Sequence, residues 1–255
     1  MSTKNNLKEK LKNGRTVVGT WSSLSSPNVI NVLGTTGLDF VVIDMEHGSM
    51  SFETVENMVR AAEAAGISPI VRTWGDDGQT LLRALETGTQ SLMVPHVKSA
   101  EDADRIAKVC KYFPDGNRGL SPYTRVHNFT HENIDKSLQK ANEETLVGIL
   151  VEGKEGLANL EEIVQVSGID LIYLGLFDIC QSVGLPGQVN HHDVIAEVEH
   201  CQEIIKSNGI APGAMATDID YVKMLKEKEY QFIAYLNDAA GLRQVFKAAI
   251  NDINC

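Results

Sequence analysis

Short, continuous apolar runs alternate with amphipathic stretches along most of the chain. Eight runs have the length and composition of strands buried on both faces, as in parallel sheets. These runs are Val17–Trp21, Phe40–Asp44, Pro69–Thr73, Ser91–Pro95, Val147–Glu152, Leu171–Gly175, Pro212–Ala216 and Phe232–Leu236. The amphipathic stretches space their apolar residues as on one helix face, which predicts helices. The helices are predicted at Pro27–Thr36, Phe52–Ala65, Gly78–Thr87, Ala100–Tyr112, Glu132–Asn142, Glu155–Ser167, Asp193–Asn208, Asp218–Lys228 and Ala239–Ile250.

This order of elements predicts an α/β fold with a single (β/α)8 (TIM) barrel over residues 1–255, a usual length for such a barrel. The rival is an open, doubly wound sheet. It is disfavoured because no Gly-x-Gly-x-x-Gly motif follows the first strand and the strand count reaches eight. The long irregular segment 113–131 interrupts the even spacing between the fourth and fifth strands. A loop of this length is typically functional or mobile.

Charge and cysteine usage narrow the class of protein. The chain has 34 acidic and 23 basic residues, a net charge of -11 that disfavours nucleic acid and membrane partners. The first residues, 1–14, lack a secretory signal, and no run reaches the about 18 apolar residues of a membrane span. We therefore expect a cytoplasmic protein. The four cysteines, Cys110, Cys180, Cys201 and Cys255, form no Cys-x-x-Cys pair and are expected to be free thiols.

Polar residues stand at the ends of several predicted strands, where (β/α)8 barrels carry their active sites. They are Asp44, Glu46 and His47 after the second strand, Arg72 in the third, Glu152 at the end of the fifth and Asp178 shortly after the sixth. Glu152 and Asp178 would offer two carboxylates to a hard divalent cation and leave most of its coordination sphere to water and substrate, which suits Mg²⁺ or Mn²⁺. Such a metal can chelate a 2-oxo acid.

Each of these residues also has a structural interpretation. A carboxylate at a strand end, including Asp44, can cap the next helix. Glu46 can be a hydrogen-bond partner of another site residue that never touches the substrate itself. His47 is either an exposed loop residue or an imidazole base oriented by the neighbouring carboxylates. Arg72 lies in an apolar run and needs an anionic partner, either Glu46 or a substrate carboxylate. Trp21 is either core or one wall of the pocket. Three further histidines lack ligand spacing and are given no role: His96, His127 and His131.

Several short motifs form a set that is more specific than its parts. They are Gly19-Thr20-Trp21, Ile43-Asp44-Met45-Glu46-His47, Val71-Arg72, Gly88-Thr89-Gln90 with Val94-Pro95, Arg118-Gly119, and Gly175 with Asp178 and Gly184. Together they resemble the HpcH/HpaI aldolase/citrate lyase family over almost the whole chain, in particular its class II pyruvate aldolases. The resemblance implies a pyruvate-binding (β/α)8 barrel, usually a hexamer whose C-terminal helix is exchanged between subunits. It also implies cleavage of 4-hydroxy-2-oxo acids, including sugar-derived ones, to pyruvate and an aldehyde, with Mg²⁺, Mn²⁺ or Co²⁺ stabilising an enolate.

The resemblance implies roles for individual residues as well. Glu152 and Asp178 match the metal ligands, and Arg72 matches the group that binds the 2-oxo acid and the enolate oxygen. His47 matches the residue that moves the proton through a water, and Asp44 the carboxylate that orients this histidine. These roles agree with the chemistry, because an enolate forms readily only where its oxygen meets positive charge. No lysine ends an apolar run, which disfavours a Schiff-base aldolase.

Three parts of the sequence depart from the family pattern. Glu86 replaces the usual Asp, which the family places at a neighbouring subunit's site. Leu150 replaces a Gln two places before the first metal ligand. The family's Gly-Pro-x-Asp-Leu-Ser is here Gly175-Leu176-Phe177-Asp178-Ile179-Cys180. Backbone amides of Gly175, Leu176, Phe177 and Asp178 are expected to hold the substrate carboxylate, while the Phe177 side chain narrows the pocket.

Three functions follow from these observations. The first is a metal-dependent aldolase. The second is another lyase that uses the same enolate, which the changes at Leu150 and Phe177 motivate. The third is a barrel that has become a binding or regulatory subunit. Four intact residues argue against it: Glu152, Asp178, Arg72 and His47. We expect the aldehyde half of the pocket to come from loops such as 113–131 or from a neighbouring subunit.

Overall fold

Eight parallel strands pair in sequence order, and the last pairs with the first to close a barrel. The structure, a computed structural model, describes residues 4–189 and 191–254. The strands are β1 (Val17–Ser22), β2 (Phe40–Asp44), β3 (Ser68–Arg72), β4 (Ser91–Val94), β5 (Leu146–Val151), β6 (Leu171–Leu174), β7 (Ala211–Ala216) and β8 (Phe232–Asn237). The predicted (β/α)8 barrel is confirmed, and every predicted strand agrees with the structure to within one residue at each end.

α-Helices precede the first strand and follow each of the eight strands. They are α1 (Asn6–Lys12), α2 (Pro27–Gly34), α3 (Phe52–Ala65), α4 (Gly78–Glu86), α5 (Ala100–Cys110), α6 (Ile134–Glu144), α7 (Lys154–Ala158), α8 (Leu160–Ile163), α9 (Leu176–Ser182), α10 (His192–Ser207), α11 (Ile219–Glu227) and α12 (Asp238–Ile253). The predicted helix Glu155–Ser167 is wrong in detail, because the chain breaks at Asn159 into α7 and α8. The pattern also does not predict α9, since its apolar residues continue those of β6.

The barrel interior is filled by side chains from all eight strands. The rings of Phe40 and Phe232 stack with centroids 3.9 Å apart. Gly19 makes room for this pair, because a Cβ there would lie 2.4 Å from the Phe40 ring. Helix α1, whose Leu7 and Leu11 are buried, contributes to the same cluster. A second layer of aliphatic side chains fills the space between the strands and the helices.

The long loop 113–131 lies at the amino-terminal ends of the strands. Helix α5 returns the chain to that end, and Arg125 of the loop donates to the carbonyl of Thr87, just after α4. The side chain of His127 anchors the loop through Tyr112, 3.0 Å away, and Ser137, 2.7 Å away. The expectation that this loop lines the pocket of its own subunit is therefore wrong, since the strands' carboxyl ends are on the opposite side of the barrel.

No described helix has both the length and the apolar character needed to span a bilayer. Cys110, Cys180 and Cys201 are free and buried, whereas Cys255 lies outside the described residues. Helix α12 buries none of its side chains within the chain. Its exposed apolar residues are Leu242, Val245, Phe246, Ile250 and Ile253.

Candidate active site

The carboxyl ends of β2, β3, β5 and β6 bring most of the predicted polar residues together. Asp44 and Arg72 are partners in the register of β2 and β3. Glu152 directly follows β5, whose Val151 pairs with Leu174 of β6. Asp178 lies in the first turn of α9, three residues beyond Gly175, which begins that helix as its N-cap. The parallel barrel thus places these side chains on one rim.

Arg72 is buried and makes paired contacts with acidic residues. Its Nε donates to Oδ1 of Asp44 at 2.8 Å and its Nη2 to Oδ2 at 2.5 Å. Its Nη1 lies 3.2 Å from Oε2 of Glu46, and its guanidinium carbon lies 4.4 Å from the ring centroid of Trp21. Each Nη atom carries two hydrogens, so each retains one for a ligand. The arginine is therefore held rigidly with donors to spare.

Asp44 serves Arg72 and the backbone rather than the His47 ring. Besides the guanidinium, its Oδ1 accepts the backbone N–H groups of Glu46 at 3.0 Å and His47 at 3.2 Å. The His47 ring is exposed and makes no hydrogen bond to the described part of the chain. The expectation that Asp44 orients this imidazole does not match the structure, because the turn after β2 directs the carboxylate to the backbone and the guanidinium.

His96 enters the site although its sequence position gives it no ligand spacing. It follows Val94 and Pro95 at the end of β4. Its Nδ1 lies 2.7 Å from Oε1 of Glu152, and its backbone N–H donates to the same oxygen at 2.9 Å. Its Nε2 lies 2.9 Å from Oε1 of Glu46. The spacing of possible ligands along the sequence does not identify His96, because its partners Glu46 and Glu152 follow two other strands, β2 and β5. The sequence signal that could have identified His96 was its position at the end of a strand.

The Glu152 carboxylate has two unlike oxygens. Oε1 takes both contacts from His96, whereas Oε2 faces Gly175, where an added Cβ would lie 3.0 Å away. Asp178 is exposed, and its carboxylate has no hydrogen-bond partner within residues 4–189 and 191–254. Burial raises the pKa of Glu152, His96 opposes this shift, and the nearby charges of Asp178 and Glu46 add to it. A cation beside Oε2 would offset these negative charges, so the donors fit a divalent metal.

Trp21 is both core and wall. It is 6% exposed, its Nε1 donates to Oη of Tyr173 at 3.2 Å, and its face lies against Arg72. Leu150, at the position of the family's Gln, is buried in the barrel interior together with Trp21 and Tyr173. The Leu150 side chain therefore makes the base of the site apolar, and Trp21 supports the arginine from the side of β1.

The residues after β6 form another side of the same rim. A Cβ on Gly175 would lie 2.5 Å from Cβ of Glu152, so only glycine allows this close approach. Leu176 is partly buried against the outer core, and Phe177 is 49% exposed. Phe177 can therefore narrow the mouth of the pocket but not its base.

Glu86 lies far from these residues, at the end of α4 and the amino-terminal side of the barrel. Its Oε1 accepts from Nη2 of Arg118 at 2.8 Å. Its Oε2 and Nε of Arg118 are buried, and neither has a partner among the described residues. Glu86 cannot reach the site of its own subunit, which leaves the predicted contact with a neighbouring subunit as its only route to one.

A second group of possible metal ligands lies on the surface. His191, His192 and Asp193, at the start of α10, bring ligand atoms within 4.8 Å of one another. Groups of this kind are common on protein surfaces without an ion, and this one lies outside the rim formed by Arg72 and Glu152. We assign it no role.

Comparison with known proteins identifies the family. A model of the HpcH/HpaI aldolase/citrate lyase family matches residues 17–243. The hydroxypyruvate/pyruvate aldolase of Roseobacter denitrificans is 30% identical over 244 residues, covering 96% of this chain and 95% of the relative. The 4-hydroxy-2-oxo-heptane-1,7-dioate aldolase of Escherichia coli is 31% identical over 245 residues, covering 96% and 93%. The crystal structure of the citrate synthase SbnG is 32% identical with a TM-score of 0.89, covering 97% of each chain.

These relatives differ in the reactions that their names describe, yet the chain is nearly equally similar to all three. The similarity extends over the whole barrel, including every strand end of the candidate site. The match confirms the family inferred from the sequence motifs. The chain therefore belongs to the HpcH/HpaI aldolase/citrate lyase family and is a lyase.

Proposed function

We propose that the protein reversibly cleaves a 4-hydroxy-2-oxo acid to pyruvate and an aldehyde at the rim formed by Arg72, Glu152 and Asp178. One observation carries this proposal. A buried arginine, whose Nη atoms each keep one N–H for a ligand, stands beside a buried carboxylate whose second oxygen accepts no hydrogen bond from the described residues. This combination suits a 2-oxo acid, whose carbonyl oxygen gains negative charge during the reaction.

The residues that would hold a divalent metal are Glu152, through Oε2, and Asp178. Both are carboxylates, and the pKa of Glu152 is raised by burial and by the neighbouring acids, so a bound cation relieves an unfavourable charge. Mg²⁺, Mn²⁺ and Co²⁺ all suit oxygen ligands with water or substrate in the remaining positions. When bound, the metal supplies positive charge close to the 2-oxo group of the substrate.

Arg72 would bind the 2-oxo oxygen and remain in place throughout the reaction. Its paired contacts with Asp44 and its packing on Trp21 fix the guanidinium before substrate arrives. Fixed donors stabilise a developing charge without reorganisation, which is the main source of such catalysis. The contribution of backbone amides between Gly175 and Asp178 to substrate binding stays a prediction.

The cleavage itself requires one proton to leave and one to arrive. The proton on the 4-hydroxyl leaves, the C3–C4 bond breaks, and its electron pair becomes the enolate of pyruvate while C4 becomes the aldehyde carbon. A proton then returns to C3 and gives the methyl group of pyruvate. We propose that His47 handles these protons through a water, because its ring is exposed on the same rim and engaged with no described residue.

Pyruvate formation from 4-hydroxy-2-oxo acids tests the function. We expect turnover when the acid is supplied with Mg²⁺, Mn²⁺ or Co²⁺, loss of turnover after chelation, and recovery when metal is returned. Pyruvate and the aldehyde should appear in equal amounts. The panel of acids should include charged, hydroxylated and apolar aldehyde halves. If the protein exchanges pyruvate protons but cleaves no acid of this panel, the hypothesis of another enolate-forming lyase would be favoured. If the protein catalyses neither cleavage nor proton exchange, the hypothesis of a binding or regulatory subunit would be favoured.

We also propose that the apolar face of α12 packs against a second copy of the chain, as exchange of this helix between subunits implies. Leu242, Val245, Phe246 and Ile250 are all at least 53% exposed and share one face of the helix. An apolar patch of this kind usually marks an interface. We propose in addition that the segment 113–131 and Glu86 act at a neighbouring subunit's site, because both lie on the side of their own barrel away from its site.

A charged side chain on the apolar face of α12 should dissociate the proposed assembly of subunits. We expect Phe246→Glu to lower the molar mass measured by light scattering after size-exclusion chromatography, because a carboxylate cannot be buried there unpaired. Gln244→Glu, which adds the same charge on the opposite side of α12, should leave the mass unchanged. An unchanged mass in Phe246→Glu, or a monomeric wild-type protein, would contradict the proposed packing.

A further inference from the structure

His96 contacts two acidic residues of the proposed site but takes no part in the proposed binding and proton-transfer steps. Its ring is 59% exposed, whereas the side chains that it joins, Glu46 and Glu152, are only 13% and 9% exposed. An isolated surface ion pair would contribute little. Here the exposed ring covers the buried carboxylate of Glu152 and the mostly buried carboxylate of Glu46, so its contacts are made with the interior of the site.

The contacts of His96 distinguish the two oxygens of Glu152. The backbone N–H and Nδ1 of His96 both lie against Oε1, at 2.9 and 2.7 Å. Oε2 receives neither contact and faces Gly175, on the side of Asp178. Rotation of the carboxylate would break both contacts with His96. Groups that hold a metal ligand in this way commonly determine how well it binds.

We propose that His96 is a positioning residue that fixes the Glu152 carboxylate with Oε2 directed toward the metal. This inference rests on the proposed function, because it assumes that Glu152 binds the metal. Through Nε2, His96 also joins Glu46, which contacts Arg72. The same ring therefore links the metal ligand to the arginine that would bind the 2-oxo group.

The backbone of His96 supports this role. Its φ of 61° lies in the left-handed region, which few residues other than glycine and asparagine occupy readily. This conformation directs the N–H toward the same Oε1 that the ring contacts.

Two amide side chains can replace the ring contacts of His96 one at a time. Asparagine tolerates the left-handed backbone conformation and places a side-chain N–H close to the position of Nδ1. Glutamine reaches instead toward the position of Nε2, so the two amides separate the contact with Glu152 from the contact with Glu46.

The test is Mn²⁺ affinity, measured on the full chain at one pH from the electron paramagnetic resonance signal of free Mn²⁺. We expect His96→Gln and His96→Gly to weaken binding about 10- to 100-fold, the usual effect of removing a group that orients a ligand. His96→Asn should stay within about threefold of the wild type, because it keeps the donor to Oε1. Glu152→Gln should weaken binding most. The readout is independent of turnover.

Two results would overturn the inference alone. One is wild-type Mn²⁺ affinity in His96→Gln while Glu152→Gln binds weakly. The other is equal weakening in His96→Asn and His96→Gln, which would mean that the contact with Oε1 is not the relevant one. If the wild type binds no Mn²⁺, or binds it no better than Glu152→Gln, the inference and the proposed metal site fail together. The asparagine and glutamine variants decide the matter even if the glycine variant does not fold.

Discussion

Glu152→Gln is expected to lower kcat for cleavage of a 4-hydroxy-2-oxo acid about 1000-fold, with metal present in excess. The substitution keeps the shape of the side chain and an oxygen for the contacts with His96 but removes a negative ligand. Loss of one preorganised electrostatic group in an active site typically costs about 100- to 1000-fold, and loss of the metal removes more than one contact. The coupled assay for pyruvate measures the effect, and Glu155→Gln, an exposed neighbour on α7, is the matched control.

The same variant should not be less stable than the wild type in the absence of metal. Burial raises the pKa of Glu152, so the stability that its neutral form provides is present at low pH and lost as pH rises through the raised pKa. Glutamine does not titrate there. Thermal unfolding with chelator should therefore show a wild-type Tm that falls with rising pH relative to that of the variant.

For the activity prediction, a kcat of Glu152→Gln within tenfold of the wild-type value would contradict the role of Glu152 as a metal ligand.

Arg72→Met is expected to abolish detectable cleavage and to destabilise the protein by about 3–5 kcal/mol, the usual cost of leaving one partner of a buried ion pair alone. Asp44 would keep its backbone contacts but lose both guanidinium donors. Urea unfolding at fixed protein concentration measures the change. The control is Arg105→Met, because Arg105 is 43% exposed in its contacts with Asp76 and Asp102 and should contribute less than about 1 kcal/mol.

A second substitution separates the structural effect of Arg72 from its chemical one. In Arg72→Met, the further change Asp44→Asn removes the uncompensated charge and should recover most of the lost stability. Cleavage should stay absent, because the donors for the 2-oxo oxygen are still missing. Recovery of cleavage in the double variant would show that Arg72 acts only by supporting Asp44.

The barrel could be predicted from the sequence because each strand is a short apolar run with its own boundaries. In a parallel barrel these boundaries also place the site, so Asp44, Arg72 and Glu152 could be assigned to one rim without coordinates. The rule that a buried charge needs a partner likewise anticipated an acidic partner for Arg72. It could not identify Asp44 as the main one, since that depends on the register between β2 and β3.

Features that depend on three-dimensional direction could not be predicted. His96 reaches Glu152 only because its backbone adopts a left-handed conformation, which leaves no periodic signal in the sequence. The loop 113–131 is an exception, because in the predicted barrel a loop that follows a helix lies at the amino-terminal ends of the strands whatever its length. The sequence pattern does not distinguish helix α9, because its apolar residues extend the apolar run of β6. Asp178 is therefore predicted to follow a strand, whereas in the structure it lies in the first turn of a helix.

The measurement that tests the central claim most directly is the entry of deuterium into the methyl group of pyruvate, followed by NMR in D₂O. It observes formation of the enolate without any assumption about the aldehyde. We predict exchange by the wild-type protein with Mg²⁺, Mn²⁺ or Co²⁺, loss of exchange with chelator, and no exchange in Glu152→Gln. Exchange that is absent with every metal, or that persists unchanged in Glu152→Gln, would contradict the proposal that Glu152 and Asp178 hold a metal for enolisation.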